Sequence, residues 1–324
     1  MCGREGYNDF RMRVSVVITA WNAAATIGRT LAALGAQDLD EPYETIVVDN
    51  GSDDGTGNVV RAASGPVELL RREHGLAGEA RNHAAAAARG DALAFTDADC
   101  FPDPGWLTAG LRALDGGADL VQGLVRPDPA AAMGPFDRSL FVSADDGLYQ
   151  TANLFVRRAL FERLGGFEEV FDDPGARAFG EDVWLGWRAR RAGARAAFCP
   201  GAVVDHAVLP RGPGGYVRER RRLALFPGLV RRVPELRRSF LFGRVFLSRR
   251  TAAFDAAAAG LALAAARRSW PPALAAAPYA RTIAARALQS GRRAPLVAPV
   301  EVAADAVGLL SLAEGSVRSG RLLL

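Results

Sequence analysis

The chain contains no lysine; all 40 of its basic residues are arginine. The bias accompanies a composition rich in Ala, Arg and Gly, and by itself it excludes little. The scarcity of cysteine excludes more. Cys2, Cys100 and Cys199 show no paired spacing, so neither a zinc framework nor a disulfide framework is readable, and a reducing compartment is expected. The N-terminal stretch from Met1 to Arg13 is polar and lacks an apolar core, so no secretory signal is expected. There is no repeat of fixed period. Disorder is excluded by content, with 49% hydrophobic and 23% charged residues in a chain of 324.

The charge is uneven. The formal net charge is only +4, yet residues 207–250 hold twelve arginines against two acids, Glu219 and Glu235. A basic tail on a near-neutral body suggests an anionic partner such as a lipid headgroup or a nucleic acid. The tail carries no zinc finger and no RNA-recognition motif, so nucleic acid is not expected.

Along the chain, Val14–Ile18 reads as a buried strand that runs into the loop Thr19-Ala20-Trp21-Asn22. Helical spacing of Ile27, Leu31 and Leu34 predicts a helix over 24–36. Residues 44–48 form a second strand, stopped by the turn-rich segment 49–55. A helix over 56–63, a strand over 67–70, a helix over 78–89 and a strand over 92–95 follow. The alternation predicts an α/β fold with a parallel sheet, in which ligands bind beyond the carboxyl ends of the strands. The second half predicts strands at 119–123, 150–156 and 202–204, and helices at 158–164 and 181–192. A domain boundary is expected near residue 210, giving domains over 1–210 and 211–324.

Three strand ends carry polar or acidic residues: Thr19–Asn22, Asp49–Asp54 and Thr96–Asp99. Asp97 and Asp99 stand at i and i+2 in one loop. Two such carboxylates can face one hard cation, Mg²⁺ or Mn²⁺, or divide between a cation and a sugar hydroxyl. Alone, such a pair is more often a solvated turn. Asp49 is placed to accept from a nucleoside, while Asp53 or Asp54 suits the capping of the next helix. Trp21 either packs or faces the base. Arg81 either meets a diphosphate or pairs with Glu79 or Asp91. Glu181 and Asp182 open a helix, where acids complement the macrodipole; a carboxylate there can also act as a general base. His206 ends a strand as a candidate metal ligand, although a lone histidine is more often structural. His74 and His83 have no such placement.

Together these segments resemble glycosyltransferase family 2, with its GT-A fold. The resemblance rests on Val14–Asn22, Ile46–Thr56, Ala80-Arg81-Asn82, Phe95–Asp99, Gly165-Gly166-Phe167 and Gly180-Glu181-Asp182, in the family's order, and covers residues 14 to about 206. It implies a Rossmann-like, mixed and mostly parallel sheet flanked by helices, with a C-terminal helical extension. It implies transfer of one sugar from a nucleoside-diphosphate sugar, with inversion, to a glycan, lipid-linked or small-molecule acceptor. Asp49 would bind the nucleoside with help from Thr19, Ala20, Trp21 and Asn22. Arg81, Asp97, Asn153 and Glu181 would face the donor. Asp99 and His206 would hold the divalent cation, and Asp182 would be the base. The sequence departs from the family at Asn50, where many relatives carry a second Asp, and at Trp21, where Tyr is more usual. The Gln-X-X-Arg-Trp signature of processive synthases is absent, which argues for single transfers.

Two other readings compete. A catalytically idle nucleotide-sugar-binding or scaffold protein would keep the acids without turnover. A dinucleotide oxidoreductase would need Gly-X-Gly-X-X-Gly after the first strand, and residues 19–24 are not that. In the tail, the apolar run 251–266 is short of the roughly 20 residues a spanning helix needs, and Glu301 and Asp305 interrupt 294–313. Helices lying on an anionic membrane surface, or an ordinary helical cap, both fit. The expected location is cytoplasmic, with the inner face of the membrane as a possible station.

Overall fold

The computed structural model describes residues 12–171 and 179–324. Cys2 and part of the 168–180 segment lie outside them. The chain divides into two compact units, Met1–Ala131 with Ser139–Ala207, and Ala132–Arg138 with Val208–Leu324. Against the boundary expected near residue 210, Ala132–Arg138 belong with the second unit.

In the first unit the alternation of elements is as the apolar pattern predicts. β1 (Val14–Ala20), α1 (Ile27–Gly35), β2 (Tyr43–Asn50), α2 (Thr56–Arg61), β3 (Val67–Arg72), α3 (Ala77–Ala87) and β4 (Ala92–Asp97) follow in order. α1 buries Ile27, Thr30, Leu31 and Leu34, one face at helical spacing. Then come β5 (Cys100–Pro102), α4 (Trp106–Asp115), β6 (Leu120–Pro127), a 3₁₀ turn at Thr151–Asn153, β7 (Leu154–Arg157), α5 (Arg158–Arg163), α6 (Glu181–Arg191) and β8 (Ala196–His206). The sequence reading assigned nothing to β5 and α4. It also read the 3₁₀ turn as part of a strand.

Among the described residues the sheet order is β3-β2-β1-β4-β7-β6-β8-β5. β1 to β4 run parallel; β7 enters antiparallel between β4 and β6. The sheet is therefore mixed and mostly parallel, as the GT-A resemblance implied. Register places the site: Ala20 lies beside Asp49 on one side, and Thr19 beside Asp97 on the other. The chain leaves β1 in opposite directions to reach β2 and β4, so a crevice opens at their shared carboxyl ends.

β8 is longer than the short apolar run 202–204 suggests. Its pairing with β6 breaks between Gly123 and Leu124, where the partners jump from Cys199 to Val203. Pro200 and Gly201 sit in that bulge, which hides the strand from an alternation test. Asn153 fills the gap. Its amide donates to Leu124 O and Ala202 O at 2.8 Å each, and accepts from Trp106 Nε1 at 2.8 Å.

The second unit is helical: α7 (Pro213–Glu219), α8 (Phe226–Arg232), α9 (Leu236–Ser239), α10 (Arg249–Arg267), α11 (Ala277–Gln289) and α12 (Ala294–Ser319). Its interior is charged. Glu301 is fully buried, accepting from Tyr216 at 2.8 Å and from Arg286 at 2.8 Å, and pairing with Arg250. Asp305, one turn on, accepts from Arg250 at 2.6 Å and from Tyr279 at 2.7 Å. The two acids that interrupt the apolar run thus tie α12 to α7, α10 and α11.

Candidate active site

The polar strand ends converge. β1 ends beside β2 and β4, and the loops after β1 and β2 are tied together by hydrogen bonds. Asn22 N donates to Ser52 Oγ at 3.0 Å, Asp53 N donates to Asn22 Oδ1 at 3.1 Å, and Ala23 N donates to Thr56 Oγ1 at 2.8 Å. Asn22 takes a positive φ of 49°, which Asn tolerates better than most residues. Asp54 accepts from Thr56 N at 2.9 Å and so satisfies the first turn of α2.

Asp49 is 1% exposed. One carboxylate oxygen accepts from Ser52 N at 2.9 Å, and the other lies 3.4 Å from Arg71 Nε. Gly57 is what lets α2 sit over it, since a Cβ there would stand 3.1 Å from Asp49 Oδ2. Trp21 is 56% exposed, so it is not core, and its ring lies 4.7 Å from that of His74. His74 had no assigned place in the sequence. Gly51, at a φ of 81°, lets its backbone approach, and its Nδ1 sits 3.1 Å from Asn50 O.

Arg81 and Asn82 join three of the sequence motifs. The Arg81 side chain is 9% exposed and bridges Glu181, at 3.1 Å, and Asp97, at 3.4 Å. Its partners are therefore neither Glu79 nor Asp91; Glu79 pairs with Arg72 at 2.7 Å. Burial alone would weaken the charge of Arg81, but Asp97, Glu181 and Asp182 hold its pKa above the ordinary value. Asn82 accepts from Phe167 N and donates to Phe167 O, both at 2.8 Å. Gly166, at a φ of 76°, leaves Asn82 room: a Cβ there would lie 2.5 Å from Asn82 Oδ1. The three motifs thus interlock around α3.

Asp182 opens α6 beside Glu181, after Gly180 at a φ of 82°. Burial raises its carboxyl pKa from 3.8 to about 7, and the neighbouring Glu181 charge adds to the rise. The Val183 N–H and Arg81 pull the other way. A half-buried carboxyl held near neutrality, in a cleft with other acids, suits proton transfer.

The antiparallel pairing of β5 with β8 sets Cys100 opposite His206. It brings Asp99 Oδ2 to 3.8 Å from His206 Nε2. His206 Nδ1 lies 2.8 Å from Ala207 O, which can only accept, so the proton sits on Nδ1. In the neutral ring Nε2 then presents its lone pair toward Asp99, the tautomer a metal ligand needs. Cys100 shares the cluster, with the donor atoms all within 4.8 Å. Its thiol is buried, and burial with the charges of Asp97 and Asp99 pushes its pKa well above 9.0, so it stays protonated and soft. A carboxylate oxygen and an imidazole nitrogen suit a cation of the Mn²⁺ or Mg²⁺ type, Mn²⁺ accepting the nitrogen more readily.

Asn153 is not brought to this cluster. It is fully buried, and its amide is engaged by Trp106, Leu124 and Ala202. The expectation that it touches the donor sugar gives way to a structural role at the β6–β8 bulge. His83 is exposed on α3.

A family profile described as Glycosyl transferase family 2 matches residues 15–161. Glycosyltransferase AglE of Haloferax volcanii is 33% identical over 213 residues, covering 61% of this chain and 68% of AglE. The pre-mycofactocin glycosyltransferase of Mycobacterium tuberculosis is 30% identical over 218 residues, covering 60% of this chain but 42% of that protein. Among solved structures, the mannosyltransferase PcManGT from Pyrobaculum calidifontis, in complex with GDP-Man and Mn²⁺, superposes with a TM-score of 0.60. That match covers 94% of this chain and 91% of PcManGT at 24% identity, a likeness of fold.

Proposed function

The chain belongs to glycosyl transferase family 2, and from that premise we propose that it moves one sugar from a nucleoside-diphosphate sugar to an acceptor hydroxyl by a single inverting displacement. The observation that supports this reading is the buried Arg81, which bridges Asp97 at the end of β4 and Glu181 at the start of α6, next to Asp182.

In the reaction the acceptor oxygen attacks the anomeric carbon. The bond from that carbon to the diphosphate breaks, and its electron pair leaves with the nucleoside diphosphate. The hydroxyl proton passes to an Asp182 carboxylate oxygen. Asp49 anchors the nucleoside, with Trp21 and the Thr19–Asn22 loop forming the wall against the base. Arg81 keeps Asp97 and Glu181 in place for the donor. Asp99 and His206 are the residues that would hold a divalent cation, and their donor chemistry fits one. When bound, such a cation supplies positive charge to the diphosphate leaving group. The Mn²⁺ and nucleotide sugar in the PcManGT complex support this assignment. The acceptor is a glycan, a lipid-linked glycan or a small molecule. The arginine-rich region beyond residue 207 favours one presented at the cytoplasmic face of a membrane.

A panel of nucleotide sugars with Mn²⁺ or Mg²⁺, scored by nucleotide release and by thermal shift, tests the reading. One or more nucleoside diphosphates with cation should raise the melting temperature, and Asp99→Ala should abolish the part that depends on the cation. No stabilisation by any nucleoside diphosphate with either cation would sink it.

A further inference from the structure

α12 is built inside out. The helical stretch Gly291–Ser319 is long and apolar enough to cross a membrane. Its only acids before Glu314, Glu301 and Asp305, are turned inward, with side chains 0% and 8% exposed. The opposite face carries Leu296, Val302, Leu310 and Val317, all exposed, the last two at 69% and 84%. Between Arg293 and Glu314 that outer face bears no charge. A helix on the surface of a water-soluble unit shows the reverse arrangement.

Beside this stripe, α7 and α12 enclose a groove of about 590 Å³. Its floor is apolar, including Val217, Val300, Ala303 and Val307, and Arg218 and Arg221 also line it. Among the described residues neither arginine has an acidic partner. An apolar face next to unpaired guanidinium groups matches an amphiphile with hydrocarbon on one side and phosphate on the other.

We propose that the outer face of α12, with the Arg218 and Arg221 groove, docks the protein onto an anionic phospholipid bilayer, the helix lying in the interface. Spanning is disfavoured by the interior: Glu301 and Asp305 hold Arg250, Arg286, Tyr216 and Tyr279 from three other helices, and a spanning α12 would strand those charges. The proposal names the surface behind the membrane station suggested above, and it does not depend on the transferase reading.

Flotation of the full chain with vesicles tests it, without donor or acceptor. The protein should float with vesicles rich in phosphatidylglycerol, and at least about tenfold less with pure phosphatidylcholine or in high salt. Leu310→Glu with Val317→Glu, at positions too exposed to affect folding, should weaken flotation by about tenfold or more. Arg218→Glu with Arg221→Glu should remove the preference for phosphatidylglycerol. Wild-type protein that stays at the bottom of the gradient overturns the proposal, as does unchanged flotation of both double variants. A dimer in light scattering that Leu310→Glu with Val317→Glu converts to monomer, with no flotation, assigns the face to a second copy instead. Because no sugar is transferred in the assay, its failure leaves the transferase reading standing, and the converse holds too.

Discussion

In the proposed reaction Asp182 is the base that takes the acceptor proton. As a base it must be unprotonated, so activity should climb as pH rises through about 7, the value to which burial and Glu181 push it. Stability moves the other way. The folded state holds this proton more tightly than the unfolded chain does, so its contribution is greatest below 3.8 and is lost between 3.8 and about 7. Asp182→Asn should therefore lower kcat by about 10²-fold or more, leave donor affinity unchanged, and flatten the stability profile over that window. A kcat–pH curve paired with urea melts at several pH values reads both effects. Retained transfer in the variant would remove Asp182 from the role.

Asn153 shows why residue type alone does not assign a role. The family resemblance implies a sugar contact for Asn153, but its amide closes the β6–β8 bulge. Asn153→Ala leaves Leu124 O, Ala202 O and Trp106 Nε1 without partners in the interior, and should cost about 3 kcal/mol or more. Donor KM should stay near wild type in whatever protein folds. A selective rise in KM at unchanged stability would return Asn153 to the donor site.

At the scale of elements, the joint between α3 and the turn after α5 is sensitive to a single substitution. Gly166 combines a φ of 76° with a neighbour 2.5 Å from its missing Cβ. Gly166→Ala should destabilise by about 1–3 kcal/mol and loosen the Asn82 clamp, with kcat falling because Arg81 adjoins Asn82 and pairs with Glu181. Chemical denaturation with steady-state kinetics on one preparation checks this; unchanged values on both counts would show that the turn does not support the site. β1, α1 and β2 were legible in the sequence, the strands as continuous apolar runs buried on both faces and α1 as one apolar face at helical spacing. β5 and α4 were not: Pro102, Asp103, Pro104 and Gly105 read as loop, and only the packing of Trp106, Leu107, Leu111 and Leu114 reveals the helix behind them.

For the molecule as a whole, the two units are stabilised differently. The first has a broad apolar core around the sheet. The second has small apolar clusters and a charged hub. Arg250, Arg286 and Tyr216 hold Glu301 below the ordinary carboxylate range, although burial opposes them. Its contribution is full above the unfolded value of 4.5 and is lost as pH falls through the lower folded value. Glu301→Ala leaves Arg250 with Asp305 alone, takes the carboxylate from Arg286 and leaves the Tyr216 hydroxyl without its acceptor, and should cost about 1–3 kcal/mol. Limited proteolysis should then open the region after residue 207 first; a digestion pattern matching wild type would count against the hub.

By itself the sequence determined the parallel α/β frame, the polar strand ends and the candidate pairs Asp97 with Asp99 and Glu181 with Asp182, because periodicity and turn chemistry are local. The meeting of Asp99 with His206, the bridge of Arg81 from Asp97 to Glu181, the use of Asn153 as a strut and the inward turn of Glu301 were decided by the tertiary structure alone. Each joins residues far apart in the chain, and burial, register and packing, which set their charges and partners, exist only once the sheet and helices have closed.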